Sequence, residues 1–340
     1  MKLKFGALCA CVALLAACGG GDSAPPPMSG PSPSPSPSPS PSPSPTPSVS
    51  YTPFDDLTGD QAFQTGCTII ETNGGGFATG FAASTSSEFT PLRFAESTET
   101  WTLELAAPGD DTKTFGPGDL IADPPPGRIS YQRANMGGGT DLFSVTLGDF
   151  GSISFDYLRG VDFIGNRNTG AFVGLPCVFG VPTVLEDTLP AGVDYSQVAV
   201  TGVAFRVDRS SGLVIGTFDL SDSIVTLSAD APADDEIITT IDLRGREILT
   251  NGDLSGTVTQ FRTYENGFSA INTETGSDGV QRGEFQGAFA FDGTSQIGAE
   301  YIGWFFGPEG IEAGYAFSIR YIDPVTDDDL YFLGQVLAKQ

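Results

Sequence analysis

Apolar and polar residues alternate with a period of two along most of the chain from residue 51 onward. Tyr315, Phe317, Ile319 and Tyr321 fall on one side of such a run, with small or polar residues between them. This alternation is typical of β-strands, and no segment shows the 3.6-residue period of an amphipathic helix. Similar alternating or apolar runs occur at 203–207, 213–220, 224–228, 237–243, 254–263, 285–291, 301–306 and 330–337. They predict about nine short strands between Tyr195 and Gln340, joined by tight turns as in an antiparallel barrel or sandwich.

The preceding stretch, residues 51–180, has a looser pattern. Runs at 101–105, 129–132, 142–147 and 153–163 predict strands. The intervals 74–87 and 108–127 are rich in Gly, Ser and Pro and predict loops. The sequence therefore predicts an all-β protein in which a small, irregular β domain precedes the more regular one.

The charge and composition exclude several functions. Acidic residues outnumber basic ones 42 to 16, which gives a net charge of -26, and the chain has no histidine. The negative charge repels nucleic acids and anionic headgroups, so we expect no nucleic-acid binding. Without histidine, no Ser-His-Asp or Cys-His catalytic arrangement and no imidazole metal ligand can form.

The first residues resemble the signal peptide of a bacterial lipoprotein. Lys2 and Lys4 precede an apolar stretch at 5–15 that is too short to span a bilayer, which needs about 20 residues. It ends in Leu15-Ala16-Ala17-Cys18, which resembles a lipobox. The resemblance implies cleavage after residue 17 and acylation of Cys18, and Gly19 favours the outer membrane. An ordinary secretory signal that happens to contain a cysteine is the alternative.

A proline-rich linker follows the predicted anchor. Twelve of the 25 prolines lie between Pro25 and Pro47, mostly in a Ser-Pro repeat. Alternating proline prevents helix and sheet formation and favours an extended polyproline II chain. Residues 18–50 are therefore predicted to be a stalk that holds the folded part away from the membrane.

Two cysteines remain in the folded part. Removal of residues 1–17 takes away Cys9 and Cys11 and two basic residues, which leaves 14 bases against 42 acids, a net charge of -28. With Cys18 acylated, Cys67 and Cys177 form an even pair in an oxidising compartment, and a disulfide is predicted between them. Two free buried thiols are the alternative.

A motif near the C-terminus resembles the transferrin-binding protein B-like surface lipoproteins. Their barrel carries a pattern close to G-x-F-[YF]-G-P-x-x-x-E-x-G-G-x-F between two late strands. The matching residues are Gly303, Phe305, Phe306, Gly307, Pro308, Glu312, Gly314 and Phe317. Tyr315 stands where the family usually has a second glycine. The segments 179–183 and 189–195 resemble the start of the family's barrel, and upstream segments fit its handle domain more loosely.

The resemblance implies both an architecture and a function. It implies a handle-like β domain at 51–179 and an antiparallel, eight-stranded-type barrel at 180–340. It also implies a lipid-anchored outer-membrane protein at the cell surface that binds a ligand or a partner protein. A TonB-dependent outer-membrane receptor for iron or another nutrient is then a candidate partner. The alternatives are a structural or adhesive surface protein and a carrier of haem or a small apolar ligand inside the barrel.

Other groups of chemically active residues give weaker signals. The segment 323–329 contains four aspartates and could hold Ca²⁺, but it lacks the spacing and glycine of a calcium loop, so a solvated acidic hairpin is predicted instead. A carboxylate pair could hydrolyse glycosides without histidine, although such pairs arise by chance in so acidic a chain. Haem would need a non-histidine ligand, for which Tyr131, Tyr157, Tyr264, Tyr301 and Tyr315 are candidates.

The eight motif residues are predicted to stabilise the architecture of the barrel. We expect a binding protein and not an enzyme, with no catalytic residues, metal site or cofactor.

Overall fold

Strands account for most of the residues that the structure describes. The structure is a computed structural model, and it describes residues 49–72, 78–84, 92–105, 111–135, 138–168, 171–230, 236–275, 279–290 and 296–340. The predicted signal peptide, Cys18 and nearly all of the predicted stalk lie outside the described residues. Within those residues there are four short 3₁₀ helices and no α-helix. The all-β prediction is confirmed.

The first twelve strands form three sheets. They are β1 (Gln61–Phe63), β2 (Thr65–Thr72), β3 (Ala78–Ser84), β4 (Leu92–Ala95), β5 (Thr100–Glu104), β6 (Thr112–Phe115), β7 (Arg128–Ala134), β8 (Thr140–Thr146), β9 (Asp149–Phe150), β10 (Ile153–Ser154), β11 (Leu158–Asn166) and β12 (Phe172–Gly180). The order β1-β4-β5-β6 makes a four-stranded sheet, and β3-β2-β12-β11-β8-β7 makes a six-stranded sheet. Strands β9 and β10 pair as a small hairpin.

The remaining strands belong to one large sheet. They are β13 (Val193–Tyr195), β14 (Gln197–Val207), β15 (Val214–Asp219), β16 (Ile224–Asp230), β17 (Glu236–Ile248), β18 (Leu254–Thr275), β19 (Gln281–Phe289), β20 (Gln296–Phe306), β21 (Glu312–Ile322) and β22 (Asp329–Lys339). The 3₁₀ helices are Phe54–Asp56, Glu96–Thr98, Pro117–Asp119 and Pro308–Gly310. Strand β18, with 22 residues, is longer than the apolar run at 254–263 predicts.

Eight of these ten strands close into a ring. The order β15-β14-β22-β21-β20-β19-β18 is completed by β17, which pairs with both β18 and β15. Strand β16 lies against another part of β17, and β13 pairs with β16. Every neighbouring pair in the ring is antiparallel. The predicted eight-stranded-type barrel is therefore confirmed.

Alternate residues of the barrel strands fill its interior. On β21, Tyr315, Phe317 and Ile319 belong to the interior cluster, whereas Ala316 and Ser318 lie outside that cluster and are also fully buried. The six-stranded sheet packs against β20, β21 and β22, which explains this second layer of burial. Small outward residues allow a second sheet to approach the barrel closely.

The four-stranded and six-stranded sheets form a sandwich. Its core contains Trp101, Leu103 and Phe115 from the first sheet, packed against Phe143 and Phe163 from the second. The six-stranded sheet thus lies between the sandwich core on one face and the barrel on the other. Below, the four-stranded and six-stranded sheets together are called the sandwich, and the closed ring of eight strands is called the barrel.

The loop prediction was wrong for two segments. Residues 78–84 form β3, which pairs with β2, and residues 112–115 form β6, which pairs with β5. Both strands are at the edge of a sheet. An edge strand forms backbone hydrogen bonds with a neighbouring strand on one side only. A sequence rich in Gly, Ser or Thr can therefore form an edge strand without a strong apolar pattern.

None of the helices in the described parts of the chain has the length and apolar character needed to span a bilayer.

Candidate functional site

The motif near the C-terminus lies at the seam between sandwich and barrel. Gly307 adopts a φ of 72°, and a Cβ on it would lie 2.4 Å from the ring of Tyr157. Pro308 begins the 3₁₀ helix Pro308–Gly310 that reverses the chain between β20 and β21. The hydroxyl of Thr183 donates a hydrogen bond of 2.7 Å to the carbonyl of Gly307. Glycine is required here because the turn needs a positive φ and the aromatic ring occupies the space of a side chain.

Glu312 is the polar centre of this seam. Its carboxylate is fully buried and accepts hydrogen bonds from the backbone N–H groups of Asp156, Tyr157 and Leu158, at 2.7, 2.9 and 2.8 Å. Lys339 Nζ lies 3.3 Å from the same carboxylate. A single side chain of the barrel thus accepts hydrogen bonds from three backbone N–H groups of the sandwich, at the start of β11.

The remaining motif residues pack on the two sides of β20 and β21. Phe305 and Phe317 point into the barrel interior, whereas Phe306 packs in the seam with Trp304. A Cβ on Gly303 would lie 2.1 Å from the carbonyl oxygen of Gly314. The motif therefore joins two sheets, and its contacts account for the residue types that the sequence resemblance singled out.

The barrel interior is occupied by side chains. Tyr264, Tyr301 and Tyr315 pack there among phenylalanines, with the ring centroids of Tyr301 and Tyr315 5.2 Å apart. The hydroxyls of Tyr315 and Thr239 share a hydrogen bond of 2.8 Å. This structure favours packing over a ligand-filled interior, since eight strands leave room for little else. Of the other candidate haem ligands, Tyr131 is buried in the sandwich core and Tyr157 is partly buried in the seam.

Burial raises the pKa of Tyr264, Tyr301 and Tyr315 well above the ordinary value, because desolvation penalises the phenolate. In the unfolded chain these groups ionise near pH 10. Their contribution to stability is therefore fully present below about pH 10 and is lost as the pH rises toward the folded pKa values. We expect tyrosinate absorbance to rise in a late, cooperative step that coincides with loss of near-UV circular dichroism.

Tyr315→Phe provides the control for this alkaline transition. It should reduce the absorbance of the cooperative step and leave the earlier part of the titration unchanged. Gradual ionisation of all nine tyrosines around pH 10, with the fold intact, would contradict the buried placement.

Cys67 and Cys177 form the predicted disulfide. They lie directly opposite each other on β2 and β12, with their Cα atoms 4.1 Å apart. Both are buried in the core of the sandwich.

One end of the barrel carries three described hairpin turns, at 208–213, 249–253 and 323–328, which we call the barrel mouth. These turns follow β14, β17 and β21, which all run in the same direction in the antiparallel ring. Aliphatic side chains are exposed at or beside the turns. They include Leu213, Val214, Ile215, Leu249, Leu254 and Val325, with Leu213 65% and Val325 88% exposed.

The same turns are strongly acidic. They contain Asp208, Asp253, Asp323, Asp327 and Asp328, with Arg209 as their one basic residue. Arg209 Nη1 lies 2.7 Å from Asp327 Oδ1 and so links two of the turns. Hydrogen bonds from the hydroxyl of Ser210 and from the backbone N–H groups of Ser211 and Ser210 hold the pKa of Asp208 below its ordinary value. The barrel mouth therefore combines exposed aliphatic side chains with an excess of aspartates over basic residues.

Three of the four aspartates at 323–329 lie beside arginines, Asp327 beside Arg209 among them. Arg206 and Arg320 lie within 4.0 Å of Asp328 and Asp329 respectively, and Asp323 accepts a hydrogen bond from the backbone N–H of Val325. Among the described residues there is no group of three or more His, Cys, Asp or Glu side chains placed to hold a metal ion. The contacts with arginines are those of an acidic hairpin, which is the interpretation that the sequence favours.

Sequence reasoning missed the aliphatic cluster at the mouth. The run Leu213-Val214-Ile215 could have indicated it, because consecutive apolar residues in a strand cannot all point inward. The sequence alone does not reveal that the residues near Leu249 and Val325 lie at the same end of the barrel.

Comparisons with known proteins gave structural neighbours only. No protein-family model matches the chain, and no curated protein matches it. One solved structure is a double mutant of the vaccine antigen transferrin binding protein B from Haemophilus parasuis Hp5, with 11% identity, a TM-score of 0.33, and coverage of 77% of this chain and 53% of that one. Isotype 1 transferrin binding protein B from serogroup B Neisseria meningitidis gives 14% identity and a TM-score of 0.32, with coverage of 81% and 44%.

A third structure comes from Nostoc punctiforme. It is a protein of unknown function from the DUF3598 family, with 11% identity, a TM-score of 0.23, and coverage of 84% of this chain and 97% of that one. The chain spans about half the length of the two transferrin binding protein B structures. All three TM-scores are below 0.5, so none of these likenesses indicates a function for this chain.

Proposed function

We propose that this chain is a surface-exposed, lipid-anchored outer-membrane protein that binds a partner protein through the barrel mouth. The observation that carries the proposal is the cluster of exposed aliphatic side chains among five aspartates at that end of the barrel. The lipobox-like Leu15-Ala16-Ala17-Cys18 and the Ser-Pro repeat support display on a stalk. The proposal includes a division between residues 179 and 180 into a handle-like domain and a barrel domain, within the one compact unit that the described residues form.

The chemistry of the mouth indicates the kind of partner. Grouped, exposed aliphatic side chains with a polar surround are typical of interaction surfaces. The aspartates favour a partner with a basic surface, and the net charge of -28 that remains after removal of residues 1–17 (14 bases against 42 acids) would steer such a partner toward the chain. Because side chains fill the barrel interior, binding at the surface loops is favoured over carriage of a ligand inside the barrel.

We also propose that this binding serves nutrient capture, together with a TonB-dependent outer-membrane receptor. A structural or adhesive surface protein is the alternative. The two differ in one measurable respect, because a capture protein should hold a defined soluble partner or receptor, whereas an adhesin should not.

Site-specific photo-crosslinking in intact cells tests the proposal. The crosslinking side chain is placed at position 213 or 325 of the mouth, and at position 120 of the sandwich as a control, because Leu120 is also exposed at 51%. We expect one basic protein to be crosslinked from the mouth positions and not from position 120. Equal crosslinking from all three positions, or none from the mouth, would contradict the proposal.

Affinity for the crosslinked partner should depend on both apolar contact and charge. The double substitution Leu213→Ser with Val325→Ser should weaken binding by at least about tenfold, because burial of each aliphatic side chain contributes about 1.5–3 kcal/mol. Leu120→Ser should have no effect. Binding to the unsubstituted chain should weaken as salt rises, since ions screen the mouth aspartates. Salt-independent binding that survives the double substitution would exclude the mouth as the binding surface.

A further inference from the structure

A cleft separates the outer face of the barrel from part of the six-stranded sheet. It has a volume of about 810 Å³, which falls in the range of small-molecule sites. Strands β14 and β15 and the β17–β18 turn line one side, and strands β8, β11 and β12 line the other. We call this space the intersheet cleft. None of the eight motif residues lines it, and it does not depend on the proposed function of the barrel mouth.

On the side of the six-stranded sheet that faces the cleft, the strand register places side chains in two rows that run across the strands. Leu142 lies opposite Ile164, which lies opposite Gly174, and Ser144 lies opposite Asp162, which lies opposite Pro176. The first row is apolar and the second contains a carboxylate. Across the cleft, Val203, Phe205 and Leu254 supply apolar surface from the barrel. The walls are thus mainly apolar, and the six-stranded sheet contributes Ser144 and the charged pair Arg128 and Asp162.

Arg128 and Asp162 form an ion pair in which the carboxylate has more of its hydrogen-bonding capacity used than the guanidinium has. Arg128 Nη1 donates to Asp162 Oδ2 at 2.7 Å, and Gln335 Nε2 donates to Asp162 Oδ1 at 2.9 Å. Both oxygens of the carboxylate are therefore engaged. Arg128 has five N–H donors, and within the described residues its remaining donors have no hydrogen-bond acceptor. Arg128 and Asp162 both line the cleft, so these donors are available to a bound molecule.

The charges of the cleft limit what can bind beside Arg128. Asp162 already balances the guanidinium, and Asp219 is a second carboxylate in the lining. Burial raises the pKa of Asp162, because desolvation penalises its carboxylate and the nearby Arg128 only partly offsets that penalty. An anionic head group would add another negative charge here, whereas a neutral oxygen could accept a hydrogen bond from Arg128 without that cost.

We propose that the intersheet cleft binds a neutral, chain-like apolar molecule whose carbonyl or hydroxyl oxygen accepts a hydrogen bond from Arg128. The apolar tail lies between Leu142 and Ile164 on one wall and Val203 and Phe205 on the other. The chemical class includes long-chain alcohols and neutral esters. A carboxylate with the same chain length belongs to the excluded class.

A matched pair of probes tests this proposal. 1-Decanol and decanoate have the same chain length and differ in charge, and both can be titrated by calorimetry at neutral pH. The protein is the chain from Gly19 onward, secreted behind a cleavable signal, so that it retains every described residue and needs no detergent. We expect one decanol site per chain and at least about tenfold weaker binding of decanoate.

Substitutions locate the site. Leu142→Trp fills the cleft from an already exposed position and should abolish decanol binding, whereas Leu147→Trp, equally exposed and outside the lining, should leave it unchanged. Arg128→Lys retains the charge beside Asp162 but removes the planar set of donors, and it should weaken binding about tenfold. Arg133→Lys, on the same strand, is its control. Thermal unfolding of each variant confirms that it is folded.

Three results would overturn the proposal. One is no decanol binding by the folded chain. Another is binding that Leu142→Trp leaves intact, which would place the molecule elsewhere, for example in the opening of about 700 Å³ between β14 and β16. The third is decanoate binding as tight as that of decanol, which would show that Arg128 recognises anions.

Discussion

Glu312→Ala is expected to lower the free energy of unfolding by about 3–5 kcal/mol, the range for removal of one partner from a buried charged network. The substitution leaves the backbone N–H groups of Asp156, Tyr157 and Leu158 without their acceptor in a buried seam. It also leaves Lys339 without one of its two nearby carboxylates, since Asp156 remains 2.8 Å from its Nζ. Each lost bond to a charged acceptor costs about 1.5–3 kcal/mol, and partial entry of water into the relaxed seam offsets part of that sum.

Equilibrium unfolding in urea measures the effect of Glu312→Ala. The control is Glu309→Gln, a nearby exposed residue whose substitution should change the unfolding free energy by less than about 0.5 kcal/mol. Glu312→Gln should fall between the two, because an amide retains one acceptor oxygen but directs an NH₂ group at a backbone donor. If Glu312→Ala were as stable as the unsubstituted chain, the seam would be held by apolar packing alone.

The same seam shows what the sequence could and could not predict. The sequence motif predicts a structural role for Gly307, Pro308 and Glu312, and their contacts give the physical reason for each residue type. Their partners in the sandwich lie about 155 residues away in the sequence, Tyr157 among them. No local pattern encodes such a contact, because it depends on how two sheets pack together.

Whether a strand could be predicted from the sequence also depended on how it packs. Strand β21 could be predicted because its large residues alternate and fill the barrel, whereas β3 could not, because an edge strand needs little apolar surface. The intersheet cleft was also beyond prediction. Asp162 and Arg128 are 34 residues apart, and each resembles an ordinary surface charge until the register of the six-stranded sheet places them together.

Removal of the Cys67–Cys177 disulfide should be the other large loss of stability, about 4 kcal/mol, because the bond closes a loop of 110 residues. In the chain-entropy description, the crosslink stabilises the fold mainly by restricting the unfolded chain. The two cysteines face each other on paired strands in the sandwich core, so the bond forms between residues that the sheet already holds together.

The double substitution Cys67→Ala with Cys177→Ala, compared with the unsubstituted chain in urea, measures this contribution. A reducing agent should lower the stability of the unsubstituted chain toward that of the double variant, while the double variant should not respond to the agent. That comparison separates loss of the crosslink from the small cavity left by two missing sulfur atoms. The chain from Gly19 onward, unfolded without reduction, should contain no free thiol. Two reactive thiols in that titration would show that the bond is absent in the protein, and the stability difference would then have to come from packing alone.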